Sequence, residues 1–343
     1  MKIGIHHDLG SYSEHWIRYC QESHIPYKIV NSYANDIIQQ LEDCNIFMWH
    51  ISHSNPRDAL FAKELMHSLE ATGKIVYPNS RSSWHFDDKL GQKYLLESIG
   101  IPLVPTFVFY SKKEALNWIS TADFPLVFKL RRGAGGRNVR LVKTKTQARF
   151  LILRAFYIGI RQYNAFGGIK EIIRRYRMRL TTLTEVIKAF AHLIYPIQLE
   201  KSIGRDKGYV YFQKYIPENK TDIRVQFVGD KCWAMVRKIR KNDFRASGSG
   251  EIDFNMAENV PKDAIDFAFR VNKSLKMQSL ALDLLEFNGS YLITEISYAF
   301  GVDPEELEFG HYDGNLNWHQ GKIDPFGWMV EDLKRQFLSS SSE

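Results

Sequence analysis

The sequence holds only three cysteines, Cys20, Cys44 and Cys232, far apart and in none of the spacings that zinc sites use. An odd number of scattered thiols argues against a disulfide framework and suits a reducing compartment. No apolar run approaches the roughly 20 residues that a membrane-spanning helix needs. The opening stretch MKIGIHHDLG lacks the apolar core and small-residue cleavage site of a signal peptide, and reads as a strand running into a loop. The expected location is therefore the cytoplasm. No internal repeat is visible, so repeat architectures are not expected.

What is present describes a folded chain of more than one unit. At 343 residues, 44% hydrophobic and 25% charged, it is ordinary globular material but too long for a single core. The net charge of +7 is unevenly spread. Between Lys143 and Tyr209 there are 14 Lys or Arg against 4 Asp or Glu, so this stretch carries +10 and the remainder −3. A local basic region points to a polyanionic partner (nucleotide, acidic polymer or membrane headgroups), or else to a solvated helical face. No nucleic-acid-reading motif accompanies it, so specific nucleic-acid binding is not expected.

Residues 1–84 alternate strand and helix. KIGIH (2–6), YKIVN (27–31), NIFMWHI (45–51) and KIVYPN (74–79) are the strands, and Pro56 to Ala71, with Asn55 as N-cap and Gly73 as stop, is the clearest helix. The order predicts a small doubly wound α/β domain. A second unit, 85–212, holds a helix over 87–99, the strand DFPLVFKL (123–130) and a Gly-rich turn. It also carries an Arg-rich helical insertion over about 143–208. A third unit, 213–338, reads as a hairpin turning at Gly229–Asp230, a helix over 261–276, a hairpin turning at Asn288–Gly289, and a C-terminal helix from Pro325.

Several side chains stand out. Lys129 ends an apolar strand, where an ammonium is costly without a partner. It runs into RRGAGGRN (131–138), whose Gly133, Gly135 and Gly136 would let backbone N–H groups approach phosphate oxygens. This turn has neither the dinucleotide fingerprint nor the Walker spacing, and an ordinary hairpin would look the same. Lys89 is a second candidate cation, or a surface lysine. FQKYIP (212–217) offers a strand edge. Asp283 and Glu295 each interrupt an apolar strand of one hairpin, and would face each other if the turn centres on Asn288–Gly289. Two such carboxylates need cationic company: Mg²⁺, or an arginine of the neighbouring hairpin. His6, His7, Ser11, His50, His53 and Arg57 follow strand ends of the first domain, where α/β folds place ligands.

Taken in order, DDKLGQKYLLESIGIPLVPTF, FPLVFKLRRGAGGRNVRLV, FQKYIPENKTDIRVQFVGDKCWAMVRKI, DFR, LALDLLEF and ITEIS resemble the ATP-grasp superfamily, most of all the RimK-type ligases and glutathione synthetase. The resemblance spans residues 87 to about 300, apart from the basic insertion. It implies two ATP-grasp subdomains after the α/β domain, and an ADP-forming ligase that joins a carboxylate to an amine. It implies that Lys89, Lys129 and the lid Gly133–Gly136 hold the triphosphate, and that Gln213, Lys214, Tyr215 and Ile216 form the adenine hinge. Asp222 would lie near ribose or substrate, Arg224 on the substrate side, and Arg237 and Arg245 at the transferring phosphoryl group. Asp283 and Glu295 would hold one or two Mg²⁺ ions, with Mn²⁺ able to substitute. Ser297 stands where the family has a metal-binding Asn, which puts a second ion in question and keeps open a non-catalytic nucleotide-binding protein. The likeness extends to ATP-grasp proteins of bacterial surface-polysaccharide loci. The implied partners are small-molecule or glycan carboxylates and amines, an amino acid or amino sugar joined to a glycan or peptide precursor. Residues 143–208 would touch an anionic polymer or the inner membrane face, and a homodimer is left open. The segment 310–328, rich in aromatics and amides, could cover the substrate.

Overall fold

The structure, a computed structural model, describes residues 1–133, 138–161, 169, 172–173, 176–177, 181–194, 204–217, 219–239, 252–255 and 259–340. The first sheet is parallel throughout. Ile3–His6 (β1), Tyr27–Val30 (β2), Ile46–Met48 (β3) and Ile75–Tyr77 (β4) lie in the order β2-β1-β3-β4. Between them run Tyr12–Glu22 (α1), Ile37–Gln40 (α2) and Pro56–Ala71 (α3). Asn55 caps α3 by accepting from the Arg57 N–H, with Pro56 in the first turn, as the sequence predicts. β1 and β3 are buried on both faces, as strands between two helical layers must be. Ser80–Ser83 (α4) and Lys89–Ser98 (α5) lead out, the latter capped by Asp88 accepting from the N–H groups of Leu90 and Gly91.

The second sheet has the order β5-β10-β6-β7 and is antiparallel. Thr106–Phe109 (β5) is followed by Lys112–Trp118 (α6), Leu126–Lys129 (β6), Arg140–Val142 (β7) and Lys145–Tyr157 (α7), with Val210–Lys214 (β10) returning to the middle. This lobe has its own core, in which Ala148, Leu151, Ile152 and Ala155 of α7 pack with Phe128 and Phe212. The stretch read as a basic insertion thus opens on a helix whose inner face is core. Its remainder is pinched at the neck by a two-stranded ladder, Ile160–Arg161 (β8) against Arg205–Asp206 (β9), with the helix Leu183–Ile194 (α8) between.

The third sheet, again antiparallel, runs β15-β14-β11-β12-β16-β17. Thr221–Val228 (β11) and Lys231–Lys238 (β12) form the first hairpin, with Ile252–Asp253 (β13) added beside β12. Lys262–Leu275 (α9) covers the sheet with Ala264, Ala268, Val271 and Leu275, spaced i, i+4, i+7 and i+11 on one stripe. Ser279–Phe287 (β14) and Ser290–Ser297 (β15) turn through Asn288 (φ 52°) and Gly289 (φ 72°), both left-handed, which is what a two-residue hairpin turn requires. Gly310–Tyr312 (β16) and Trp318–Gln320 (β17) make a hairpin out of the aromatic-rich stretch, and Pro325–Ser340 (α10) packs on α1.

First and third units share one continuous core. Two tyrosines stitch them together. The Tyr298 hydroxyl takes the Ile51 N–H (2.9 Å) and donates to the Ile51 carbonyl (3.1 Å). In mirror fashion, the Tyr12 hydroxyl accepts from the Phe300 N–H (2.6 Å) and donates to the Phe300 carbonyl. The connection into the second lobe runs beside β15, where Val104 N–H bonds the Ile293 carbonyl and Ile293 N–H bonds the Pro102 carbonyl.

Candidate active site

Two cavities meet at the β14–β15 hairpin. The smaller, about 140 Å³, lies between the second and third sheets. Its lining brings together Lys89, Lys129, Gly133, Gln213, Lys214, Tyr215, Ile216, Asp222, Asp283 and Glu295, ten of the residues that the sequence motifs single out. The larger, about 550 Å³, lies between the first and third units and includes Arg224, Asp283, Glu295 and Ser297. Asp283 and Glu295 border both.

Their position follows from the hairpin. The Asn288–Gly289 turn puts Asp283 opposite Glu295, as expected. A bulge at this point leaves Thr294 without an opposite number, and its hydroxyl donates to the Asp283 carbonyl (3.1 Å). Among the described residues both carboxylates are matched by cations. Glu295 Oε1 lies 3.0 Å from Lys89 Nζ. Asp283 receives a two-pronged bond from Arg224 (2.8 and 2.9 Å) and a further one from Arg237 (3.0 Å). Asp222, opposite Arg237 in the ladder, takes two bonds from it at 2.7 Å each. Burial would raise the Asp283 carboxyl, but Arg224 and Arg237 overcome this and hold it well below the usual carboxylate range. The ion pair with a neighbouring arginine, one of two alternatives for Asp283, is thus the arrangement seen; the same carboxylates remain suited to Mg²⁺ by their oxygens and their place at the cavity junction.

Lys129 differs from these. It is buried at the end of β6, and no described residue hydrogen-bonds its ammonium. Burial pushes its pKa down to about 8, with Lys89 adding to the depression and Glu295 and Asp283 opposing it. With Asp87, which lies near Lys89 and Glu295, four carboxylates face Lys89, Lys129, Arg224 and Arg237, and among the described residues Lys129 is the one of these cations with no ion pair. A buried ammonium that no described residue hydrogen-bonds, beside a Gly-rich turn, is a place for an anion. A nucleotide triphosphate fits this donor set.

The turn itself is tethered at its start. Gly133 N–H donates to Asp87 (2.7 Å), and its carbonyl accepts from Lys89 (2.8 Å). Gly135, Gly136 and Arg245 lie outside the described residues. On the hinge side, β10 buries Phe212 and Gln213, the latter donating to the Thr106 hydroxyl (3.2 Å), while Ile216 is buried in the cavity wall. Arg237 is not on the surface of either cavity; it sits behind Asp222 and Asp283. The Ser297 hydroxyl is turned into its own loop, donating to the Ala299 carbonyl (2.6 Å) and accepting from the Ala299 N–H (3.2 Å).

Of the first-domain candidates, Ser11, His50 and His53 reach the larger cavity. His6 instead accepts from the Ser32 N–H in the loop after β2, His7 contacts Ser13, and Arg57 lies over the Tyr33 ring. Residues not singled out complete the wall. Tyr12 stacks on His50 at 3.8 Å and His15 on Phe326 at 4.1 Å, with Phe86 and Phe300 nearby. Burial pushes His50 down to about 4, so it is a neutral ring at physiological pH. The strand-end rule could have led to Tyr12, next to Ser11. Nothing in the sequence marks Phe326, which reaches the site only because α10 packs on α1. Of the covering segment 310–328, Phe326 alone borders the larger cavity.

No protein-family profile matches the chain. It is 26% identical over 294 residues to a probable alpha-L-glutamate ligase of Shewanella oneidensis, covering 83% of this chain and 79% of that one. Among solved structures, it is similar to a RimK domain ATP-grasp protein from Sphaerobacter thermophilus, with a TM-score of 0.57, 12% identity, and coverage of 97% and 99%. It is also similar to the ATP-grasp ligase PsnB, solved with a minimal precursor, Mg and ADP, with a TM-score of 0.53, 13% identity, and coverage of 98% and 97%.

Proposed function

We infer that this chain, which has the ATP-grasp fold and RimK-like relatives, is an ATP-dependent ligase that joins a carboxylate to an amine through an acyl-phosphate. One observation carries the reading: Asp283 and Glu295 border both cavities, a cation-lined one on the nucleotide side and an aromatic, polar one on the other. A reaction between a bound triphosphate and a second substrate needs such a junction.

In this reading Lys129 and Lys89 hold the triphosphate, and Gln213 to Ile216 hold the adenine. The substrate carboxylate oxygen attacks the γ-phosphorus, and the bond to the bridging oxygen breaks to release ADP. The amine nitrogen then attacks the acyl carbon, phosphate departs, and the amine loses a proton. Arg224 and Arg237 supply positive charge where it develops, which is the main protein contribution to phosphoryl transfer. Asp283 holds Arg224 at the wall of the larger cavity, and Arg237 would act from behind Asp222 and Asp283. Asp283 and Glu295, exchanging their ion pairs, would hold Mg²⁺, which supplies charge neutralisation at the phosphates; Mn²⁺ has the same taste for oxygen ligands. Water has to be kept from the acyl-phosphate, and the Gly-rich turn, anchored at Gly133 by Asp87 and Lys89, is the element to close.

The larger cavity is roomy enough for an amino acid or amino sugar together with the end of a glycan or peptide precursor. Its stacked Tyr12–His50 and His15–Phe326 pairs offer flat faces of the kind sugars and peptide groups lie against. Glu295→Ala and Lys129→Ala variants are expected to fold and to lose ATP turnover. Full activity in both would end the assignment. A second reading, nucleotide binding without ligation, is favoured by one feature: Ser297 spends its hydroxyl on the Ala299 backbone. Calorimetric titration of Mg-ATP, beside phosphate release across a panel of amino acids, separates the two. Binding without turnover on any acceptor would favour the second.

A further inference from the structure

The second lobe presents apolar side chains to solvent in a row along one helix face, which the singly exposed apolar side chains elsewhere among the described residues do not form. On α8, Leu183, Ile187 and Phe190 are spaced i, i+4 and i+7, so they share one face, and all three are exposed, Ile187 by 63%. Phe150 on α7 and Tyr157 and Ile158 at its end are likewise exposed, each by more than 60%. These are not leftovers of a weak core, since the opposite face of α7 is fully packed. The same stretch holds the chain's excess positive charge, +10 between Lys143 and Tyr209 against −3 for everything else. Exposed Lys143, Lys145, Arg149 and Arg205 lie among the described residues of this region.

An apolar helical face in a basic setting matches one kind of surface better than others. We propose that α8, with the exposed end of α7, docks on an anionic lipid surface, its apolar ridge among the acyl chains and its basic neighbours on the headgroups. No helix among the described residues is long and apolar enough to cross a membrane, so the contact is with one leaflet. Leu183, Ile187 and Ile158 have no flat face on which a base could stack, and no nucleic-acid-reading motif accompanies the charge, so lipid suits the whole ridge, its aromatic Phe190, Phe150 and Tyr157 included, better than nucleic acid. An acidic protein or polymer would satisfy the charge but leave the ridge in water. Docking here would hold the ligase cavities near substrates carried on lipid, though the contact itself needs neither nucleotide nor catalysis.

The test is co-sedimentation of the whole chain, without nucleotide, with vesicles of phosphatidylcholine alone or with about one third phosphatidylserine. The chain is expected to pellet with the anionic vesicles and stay in solution with the neutral ones. Raising salt until the screening length falls to about 4 Å should weaken the interaction several-fold. The double variant Ile187→Asp, Phe190→Asp is expected to lose at least about tenfold in vesicle affinity, because both positions face solvent in the unbound chain and meet acyl chains in the bound one. Phe150→Ser, on a different helix, should weaken binding by a smaller factor. Both variants should bind ATP as the parent does, since neither position lines a cavity. Failure to pellet with anionic vesicles, equal pelleting of the double variant, or displacement by RNA at lower concentration than by vesicles would each overturn the proposal. None of these outcomes would touch the ligase assignment.

Discussion

Replacing Lys129 by methionine should make the ligand-free protein more stable and leave it unable to hold ATP. The side chain is buried, has no hydrogen-bond partner among the described residues, and has its pKa moved from 10.5 to about 8. A displacement of that size corresponds to roughly 3 kcal/mol of penalty on the charged form. The sign follows from proton counting. Between about pH 8 and 10.5 the unfolded chain binds more protons at this site than the native one, so stability rises with pH across that window. Below pH 8 the whole penalty is present. Methionine has nearly the length of lysine and no charge, so Lys129→Met should gain on the order of 2–3 kcal/mol in chemical denaturation at pH 7, and much less near pH 10. Nucleotide reverses the balance, because a phosphate beside Lys129 restores its proton. At pH 8, where the free ammonium is about half protonated, ATP binding to the parent should take up about half a proton, read by calorimetry in buffers of different ionisation enthalpy. The variant should take up none from this site and bind at least about 100-fold more weakly, the loss expected for a buried charge contact to phosphate. A methionine variant that is less stable than the parent at pH 7, or that binds ATP normally, would refute the reasoning.

Arg237→Met strands Asp222 as a buried carboxylate and leaves Asp283 to Arg224 alone, so it should cost about 3–5 kcal/mol in denaturant unfolding, and a far smaller loss would mean the groups do not form a unit. Tyr12→Phe removes the hydroxyl that pairs with both the Phe300 N–H and carbonyl, and should cost about 1–3 kcal/mol. It should also raise KM for the non-nucleotide substrates and leave ATP affinity within about twofold, because Tyr12 borders the larger cavity only; equal loss on both sides would contradict the two-cavity assignment. Glu306, buried against Gln226 and Trp233, has its carboxyl pushed up by burial from 4.5 to about 7. The native state then holds its proton longer than the unfolded one, so stability should fall as pH rises from about 4.5 to 7, and Glu306→Gln should flatten that part of the profile. An unchanged slope would show that another group sets it.

The local elements were legible because each is written in its own residues. Asn55 with Pro56 starts α3, and Asn288–Gly289 turns the last hairpin, through side-chain capping and left-handed backbone that need no distant partner. The same turn alone puts Asp283 across from Glu295, since register in a two-residue hairpin is fixed by the turn. Lys129 was legible as a candidate anion contact because a charge at the end of an apolar strand is improbable without a purpose. Some short elements, such as α6 and the β16–β17 hairpin, carry too little periodicity to announce themselves. What only the tertiary structure decided is how distant segments close around those residues. The pairing of Arg224 and Arg237 with Asp283 depends on β11 lying between β12 and β14. The larger cavity exists because Tyr12 and Tyr298 lock the first unit onto the loop after β15, and because α10 returns to α1 with Phe326. Sequence fixes what depends on neighbours a few residues apart. Which surfaces meet across two hundred residues or more is a matter of packing, and it is there that the larger cavity is made.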